Sequence, residues 1–128
     1  MISVLLPTRG RTDILPGSVE SLLEKAGDAD QVELCFAVDA DDTDTIAAVA
    51  RITRDMEVPR HILRVSPRHG YAGLHHYVND LAAHASGDWL FLWNDDAIMQ
   101  TYGWDWRINE FTPRYILDCW SNHPPEIC

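Results

Sequence analysis

The chain has few cysteines, no long hydrophobic run and no recognisable targeting segment. Cys35, Cys119 and Cys128 are an odd number without the paired spacing of a disulfide framework or of a Cys-x-x-Cys zinc site. No stretch approaches the roughly 18 apolar residues of a membrane-spanning helix. The residues after Met1 lack the basic lead-in of a signal peptide. We therefore expect a cytoplasmic protein without a membrane span.

Positive charge is also scarce. The 128 residues include 10 Lys and Arg against 20 Asp and Glu, which gives a formal net charge of −10. This balance disfavours nucleic acid as a partner, because the phosphate backbone is held mainly by basic side chains. An anionic ligand would need a few basic residues or a metal ion concentrated at one place. The length and the 46% hydrophobic content predict one domain over residues 1–128.

Three common nucleotide-binding and catalytic motifs are missing. No Gly-x-Gly-x-x-Gly follows the first strand signal, so a nicotinamide or flavin site of the dinucleotide-binding kind is not supported. The phosphate-binding Gly-x-x-x-x-Gly-Lys-Ser/Thr loop and the Gly-x-Ser-x-Gly nucleophile elbow are absent as well. The missing phosphate-binding loop argues against a P-loop nucleotide hydrolase, and the missing nucleophile elbow argues against an α/β-hydrolase.

Apolar strand signals alternate with amphipathic helix signals along the chain. This alternation predicts an α/β fold with a mostly parallel sheet and helices on both faces. We expect the fourth strand to be central, because it is nearly all apolar, and a later apolar run, Tyr115–Trp120, could pair with a second copy of the chain. The predicted strands are Ile2–Leu6, Val32–Val38, His61–Val65 and Trp89–Trp93, and the predicted helices are Leu15–Ala26 with Asp13 as cap and Pro16 in the first turn, Thr45–Ile52, and Leu74–Ala85 with Leu74, Val78, Leu81 and Ala85 buried.

A polar cluster follows each of the four predicted strands. In doubly wound sheets, ligands bind beyond the carboxyl ends of the strands. The sequence therefore predicts one site built from four separate segments, which are Thr8–Arg11, Asp39–Asp44, Arg68–Gly70 and Asn94–Asp96.

The adjacent carboxylates of Asp95 and Asp96 are candidate metal ligands. Two neighbouring acids repel each other unless a cation or capping donors neutralise them. Hard oxygen ligands suit Mg²⁺ or Mn²⁺, which also take ligands from substrate phosphates. The alternative is that this pair caps the following turn.

Other polar residues at the strand ends have candidate roles in ligand binding. Asp39 could accept hydrogen bonds from a base or a ribose, although a solvated loop position remains open. Arg9, Arg11 and Arg68 could meet a diphosphate, because a guanidinium matches phosphate oxygens, or they could be ordinary surface residues. The remaining acids after the second strand are better explained as helix-start residues, namely Asp41, Asp42 and Asp44.

Two further groups of residues invite a functional interpretation. The repeat of His76, Asp80 and His84 resembles a zinc pattern, but these residues lie opposite the predicted apolar stripe, which favours a solvated face. Trp104 and Trp106 could either pack in the core or form a wall of a ligand pocket.

Four segments together resemble the family 2 glycosyltransferases of GT-A fold over about the first hundred residues. The segments are Ile2–Arg11, Val38-Asp39 with Thr43-Asp44, Gly70 with Asn79, and Gly87–Asp96. The resemblance implies an inverting transfer of a sugar from a nucleotide-diphosphate sugar, assisted by Mn²⁺ or Mg²⁺. It also implies that Pro7, Thr8 and Arg11 line the nucleotide pocket, that Asp39 binds the base, and that Asp95 or Asp96 holds the metal.

Two departures from the family pattern bear most on the expected function. The acidic element reads Asn94-Asp95-Asp96, so its register is open by one residue; we favour Asp96 as the ligand, with Asn94 as a neutral oxygen donor. Family members also continue for about a hundred residues more, a domain-scale addition. We therefore expect a chain truncated at its C-terminus. We expect it to be a glycosyltransferase, and the alternatives are a non-catalytic nucleotide-sugar-binding remnant and a nucleotidyltransferase. The catalytic base is unknown, with Asp105, Asp118 and His123 as candidates.

Overall fold

The computed structural model describes residues 1–111. Strands and helices alternate along this part of the chain, as the sequence predicts. The predicted strand Tyr115–Trp120 and the base candidates Asp118 and His123 lie outside the described residues. The strands are β1 (Ile2–Pro7), β2 (Val32–Asp39), β3 (Arg60–Ser66) and β4 (Trp89–Leu92), and the helices are α1 (Leu15–Lys25), α2 (Thr43–Asp55), α3 (Leu74–His84) and α4 (Trp104–Asn109).

The four described strands form one parallel sheet in the order β3-β2-β1-β4. In register, Leu5 of β1 lies between Cys35 of β2 and Leu92 of β4. The chain first moves outward from β1 to β3 and then returns past β1 to form β4. The direction of winding thus reverses between β1 and β4, and ligand sites of open α/β sheets lie at such a reversal.

The reversal also distributes the helices over both faces of the sheet. Successive right-handed crossovers in opposite directions place their helices on opposite faces. Helices α1, α2 and α4 contribute to a core with Val4, Leu34 and Phe36. Helix α3 covers the other face and packs against Leu5 and Cys35. The predicted α/β fold with helices on both faces is therefore confirmed.

The prediction that β4 is a central strand, covered on both faces, is wrong for the part of the chain that the structure describes. There β4 is an edge strand. Trp89 is buried, but Leu90 and Leu92, on the α3 side of the sheet, are 48% and 53% exposed. An apolar run indicates burial on both faces but not which neighbouring element provides the cover, and the buried residues of α3 pack against β1 and β2.

The helix starts differ from the predictions in detail. Asp13 does not cap α1, because Ile14 occupies that position without a side-chain hydrogen bond, although Pro16 lies in the first turn as predicted. On α3, Leu74 is 42% exposed, and Tyr77 is buried with Leu81 instead. The buried face of α3 is therefore rotated toward Tyr77.

Helix α2 begins at Thr43 and ends at Asp55, beyond both predicted limits. Asp42 caps it by accepting hydrogen bonds from the backbone N–H and the hydroxyl of Thr45. The interpretation of Asp42 as a helix-start residue is confirmed.

A buried carboxylate joins β2 to the connection that leads into β4. Glu33 is 6% exposed and accepts hydrogen bonds from the Ser3 hydroxyl at 2.8 Å and the Ser86 N–H at 2.9 Å. Burial acts to raise the pKa of the Glu33 carboxyl, but these hydrogen bonds outweigh it and lower that pKa below the ordinary 4.5. Glu33 is therefore ionised, and its hydrogen bonds hold the start of β4 in place.

None of the helices within residues 1–111 is long and apolar enough to cross a membrane.

Candidate functional site

A cleft of about 690 Å³ lies at the carboxyl ends of the strands, next to the reversal between β1 and β4. Its volume is within the range of small-molecule sites. All four predicted segments contribute to it, so their convergence is confirmed as geometry. The candidate residues that line the cleft are Pro7, Thr8, Arg9, Arg11, Asp39, Arg68, Asn94, Asp95 and Asp96.

The loop after β1 carries two arginines to different parts of the cleft. Between them, Gly10 has φ +65°, a left-handed conformation that glycine adopts without strain. Its backbone N–H donates to Asp42 Oδ2 at 2.8 Å, which ties the loop to the start of α2. As a result, Arg9 contacts the acids after β2 and Arg11 contacts the acids after β4.

Asp39, at the end of β2, is only 4% exposed, and both of its carboxylate oxygens are engaged. Arg9 Nη1 donates to Oδ2 at 2.8 Å, and the Tyr77 hydroxyl donates to Oδ1. The same hydroxyl accepts a hydrogen bond from the His69 N–H at 2.6 Å. Burial, together with the hydrogen bond to Asp39, raises the pKa of Tyr77, so the phenol stays neutral and remains a donor.

Sequence reasoning did not identify Tyr77. The pattern that could have identified it is its spacing to Leu81, four residues later, because this spacing places both side chains on the buried face of α3. A buried phenol needs a hydrogen-bond partner, and the nearby end of β2 provides Asp39.

Arg9 is shared between two carboxylates. In addition to Asp39, it donates to both oxygens of Asp41, at 2.7 and 3.2 Å. The hydrogen bonds from Arg9 are the main reason that the pKa of Asp41 is lowered. Asp41 is therefore an ion-pair partner of Arg9 and not the cap of α2, a position that Asp42 occupies.

Asp95 and Asp96 both contact one nitrogen of the Arg11 guanidinium. Arg11 Nη1 is 3.4 Å from Asp95 Oδ1 and 3.0 Å from Asp96 Oδ2. The Thr8 hydroxyl donates to Asp95 Oδ2 at 2.8 Å. The Asp95 side chain is 13% exposed and that of Asp96 is 55% exposed, so Asp96 is the more accessible acid.

The donor set can be compared with the needs of a hard divalent cation. Residues 1–111 contain no group of three or more His, Cys, Asp or Glu placed to hold a metal ion. Mg²⁺ needs fewer protein ligands when a phosphate is present, because it binds through one or two carboxylates, water and phosphate oxygens. Asp95 and Asp96 already direct one oxygen each at a single cationic nitrogen. The residues present fit a cation that is shared with a phosphate ligand.

Another part of the cleft lining combines a cation with apolar surface. Arg68 is exposed and forms no salt bridge within residues 1–111, although its charge acts on Asp41. Gly70 has φ +70° and turns the chain into Tyr71, which is 91% exposed, and Leu74. Arg68 is thus a cation available to an anionic ligand, beside an apolar surface.

Neither Trp104 nor Trp106 lines the cleft. Trp104 is 3% exposed, packs against Phe91 and donates its indole N–H to the Leu22 carbonyl at 3.0 Å. Trp106 lies against Gly27, at the far end of α1. The tryptophan of the cleft is Trp93.

Asp105 has a structural role that excludes it as the catalytic base. It is 2% exposed and accepts hydrogen bonds from the Gly27 N–H at 2.7 Å and the Asp28 N–H at 2.9 Å. It does not line the cleft. The carboxylate binds backbone donors after α1, because α4 packs there.

The pattern of His76, Asp80 and His84 does not form a metal site within the described part of the chain. Asp80 forms an ion pair with Arg64, with 2.9 Å from Oδ2 to Nε. His76 stacks with His75 and His69. The solvated-face interpretation is therefore the better one.

Solved structures with a similar fold include a mannosyltransferase and a UDP complex of TarS. A mannosyltransferase from Pyrobaculum calidifontis, PcManGT, solved with GDP-Man and Mn²⁺, is 21% identical with a TM-score of 0.70; the match covers 80% of this chain and 29% of that one. Residues 1–349 of TarS from Staphylococcus aureus, solved with UDP, are 18% identical with a TM-score of 0.64; the match covers 85% of this chain and 32% of that one. These likenesses establish a GT-A fold, and this chain spans about a third or less of either relative.

The sequence itself carries the family relationship. None of the curated proteins compared with the chain matches it. The family model described as glycosyl transferase family 2 matches residues 3–105, which include every described segment of the cleft. The chain belongs to glycosyl transferase family 2.

Proposed function

We propose that this chain binds a nucleotide-diphosphate sugar in the cleft and serves in the transfer of the sugar to an acceptor, with inversion at the anomeric carbon and with help from Mn²⁺ or Mg²⁺. The observation that supports this is the presence of Asp39, Arg68 and the Asp95–Asp96 pair in one cleft. These groups match the parts of such a donor: a base or ribose with N–H or O–H donors, a diphosphate, and a cation bound to it.

Each part of the donor has a candidate partner. Asp39 accepts hydrogen bonds from the base or ribose, and Tyr77 and Arg9 hold its carboxylate in place. Arg68 binds the diphosphate. Asp96, with Asp95, holds the divalent cation, which supplies stabilisation of the negative charge on the departing diphosphate. Pro7, Thr8 and Asn94 complete the lining of the nucleotide pocket.

The acids that line the cleft are Asp39, Asp95 and Asp96, and each has a cationic or hydroxyl partner. An inverting transfer needs a base that accepts the proton of the acceptor hydroxyl. No further carboxylate or histidine among the described residues lines the cleft. Donor binding is therefore the part of the reaction that this cleft supports best.

Calorimetry with UDP, GDP, dTDP and their sugars, with and without Mn²⁺, tests the proposal. We expect at least one nucleotide to bind more tightly with Mn²⁺. Asp96→Ala should remove the Mn²⁺ dependence, whereas Asp13→Ala, at an exposed position outside the cleft, should retain it. If none of these nucleotides binds, the proposal is contradicted.

The reaction products distinguish the three possible activities. Release of nucleoside diphosphate from a bound sugar nucleotide indicates transfer or hydrolysis. Binding without turnover indicates a non-catalytic nucleotide-sugar-binding protein. Incorporation of a nucleoside monophosphate with release of pyrophosphate indicates a nucleotidyltransferase.

A further inference from the structure

The Arg11 guanidinium occupies the position between Asp95 and Asp96 that a bound cation would share. One nitrogen, Nη1, contacts both carboxylates, at 3.4 and 3.0 Å. The charge of Asp95, followed by the hydrogen bond to Asp96, raises the pKa of Arg11. The two acids therefore have a resident positive charge supplied by the chain itself.

A second contact limits which oxygens remain available. Asp95 Oδ2 accepts a hydrogen bond from the buried hydroxyl of Thr8 at 2.8 Å. The Asp95 oxygen that is free of this hydrogen bond is Oδ1, which is also the one that faces Arg11. Because Mg²⁺ binds oxygen at about 2.0–2.1 Å, it would compete with Nη1 for this oxygen and for Asp96 Oδ2.

The backbone of Arg11 is fixed, whereas its side chain is partly exposed. The Arg11 carbonyl accepts hydrogen bonds from the N–H groups of Ile14 and Leu15, at 3.1 and 2.9 Å, at the start of α1. The side chain is 39% exposed and lines the same cleft as Arg68. An exchange of partners therefore needs only a change of side-chain rotamer.

Arg9 provides an internal comparison on the same loop. It binds Asp39 and Asp41 through three donor–acceptor pairs at 2.7–3.2 Å, and Asp39 is also held by Tyr77. Arg11 has only the two contacts with Asp95 and Asp96. Of the two arginines, Arg11 is the one whose partners a divalent cation would also bind.

We propose that Arg11 is the resident counter-cation of Asp95 and Asp96, and that a divalent cation displaces its guanidinium, which then becomes available to the diphosphate in the same cleft. The second half of this inference rests on the proposed function. The first half does not, because it concerns the exchange of one cation for another at two carboxylates.

The guanidinium resonances of Arg11 test the exchange directly in the 128-residue chain. Nuclear magnetic resonance of the arginine Nε–H groups is followed during a titration with Mg²⁺ alone. We expect the Arg11 resonance to shift with Mg²⁺ while that of Arg64, which is paired with Asp80 outside the cleft, stays unchanged. Backbone resonances of Asp95 and Asp96 should shift over the same concentrations.

The Arg11→Gln variant tests the competition. Without the resident charge, Mg²⁺ should bind about tenfold more tightly, because it no longer competes with a guanidinium for the two carboxylates. Arg64→Gln, the matched control, should leave the Mg²⁺ affinity unchanged. The backbone spectrum of each variant verifies that it is folded.

Three results would decide against these proposals in different ways. A shift of Asp95 and Asp96 by Mg²⁺ with an unchanged Arg11 side chain would overturn the exchange. No response to Mg²⁺ in either the wild type or Arg11→Gln would overturn the pair as a cation site. A normal Arg11 response in a protein that binds no nucleotide would overturn the proposed function and leave the exchange in place.

Discussion

The hydroxyl of Tyr77 on α3 joins Asp39 at the end of β2 to the backbone of His69, because it donates to the carboxylate and accepts from the N–H. One side chain thereby fixes both the candidate base-binding acid and the loop that carries Arg68. This relationship makes Tyr77 a positioning residue of the proposed donor site.

Replacement of this phenol is the first test. Tyr77→Phe removes the donor to a buried carboxylate, so we expect the free energy of unfolding to fall by about 1–3 kcal/mol and nucleotide affinity to fall with it. Chemical denaturation and calorimetry measure the two effects. Tyr102→Phe, at a 66% exposed tyrosine, is the matched control. Equal stability of Tyr77→Phe and wild type would contradict the role of this hydrogen bond.

Arg68 should act on the diphosphate alone. A charge-assisted hydrogen bond contributes about 1.5–3 kcal/mol, so Arg68→Ala should weaken UDP or GDP by about ten- to a hundredfold. The affinity for the corresponding nucleoside should stay the same. Arg51→Ala, at an exposed position on α2, controls for the loss of one positive charge. A similar loss for nucleoside and nucleoside diphosphate would argue against a phosphate contact.

Asp105 should matter for stability and not for the cleft. Asp105→Ala removes the buried carboxylate that accepts from the partly buried N–H groups of Gly27 and Asp28, so we expect the free energy of unfolding to fall by about 1–3 kcal/mol. Thermal unfolding should therefore shift to a lower temperature, while the nucleotide affinity of the folded protein stays at the wild-type value. A variant with normal stability and lost donor turnover would instead support Asp105 as a base.

Glu33 should make the fold sensitive to acid. Its pKa is lowered in the folded protein, so the unfolded chain binds more protons as the pH falls below the ordinary 4.5. The stability from Glu33 is present above this value and is lost as the pH falls through the folded-state pKa. Denaturation curves of Glu33→Gln should show a lower stability near neutral pH and a weaker dependence on pH between these limits. Glu20→Gln, at an exposed position, should behave as wild type.

The sequence predicts the strands and the shared site because each depends on local pattern and on one topological rule. Strand signals and the polar residues after them are local, and the carboxyl ends of parallel strands meet at one edge. The edge position of β4 could not be predicted, since Leu90 and Leu92 look the same in sequence whether or not a neighbour covers them. It depends on how far α3 extends over the sheet.

The sequence also could not predict which individual side chains pair with each other. Arg9 and Arg11 are two residues apart and of one type, and only the turn at Gly10 sends them to different acids. Asp105 and Trp104 looked available for function because α4 was not predicted, and the packing of α4 gives both a structural role.

Resonance mapping with a nucleoside diphosphate and Mg²⁺ tests the central claim most directly, which is that four separate segments form one nucleotide site. The account predicts that backbone shifts caused by UDP or GDP fall together in residues 7–11, 39–42, 68–74 and 92–96, with Asp39 and Asp95 responding at the same ligand concentration. Shifts in α4, or in only one of these segments, would contradict it.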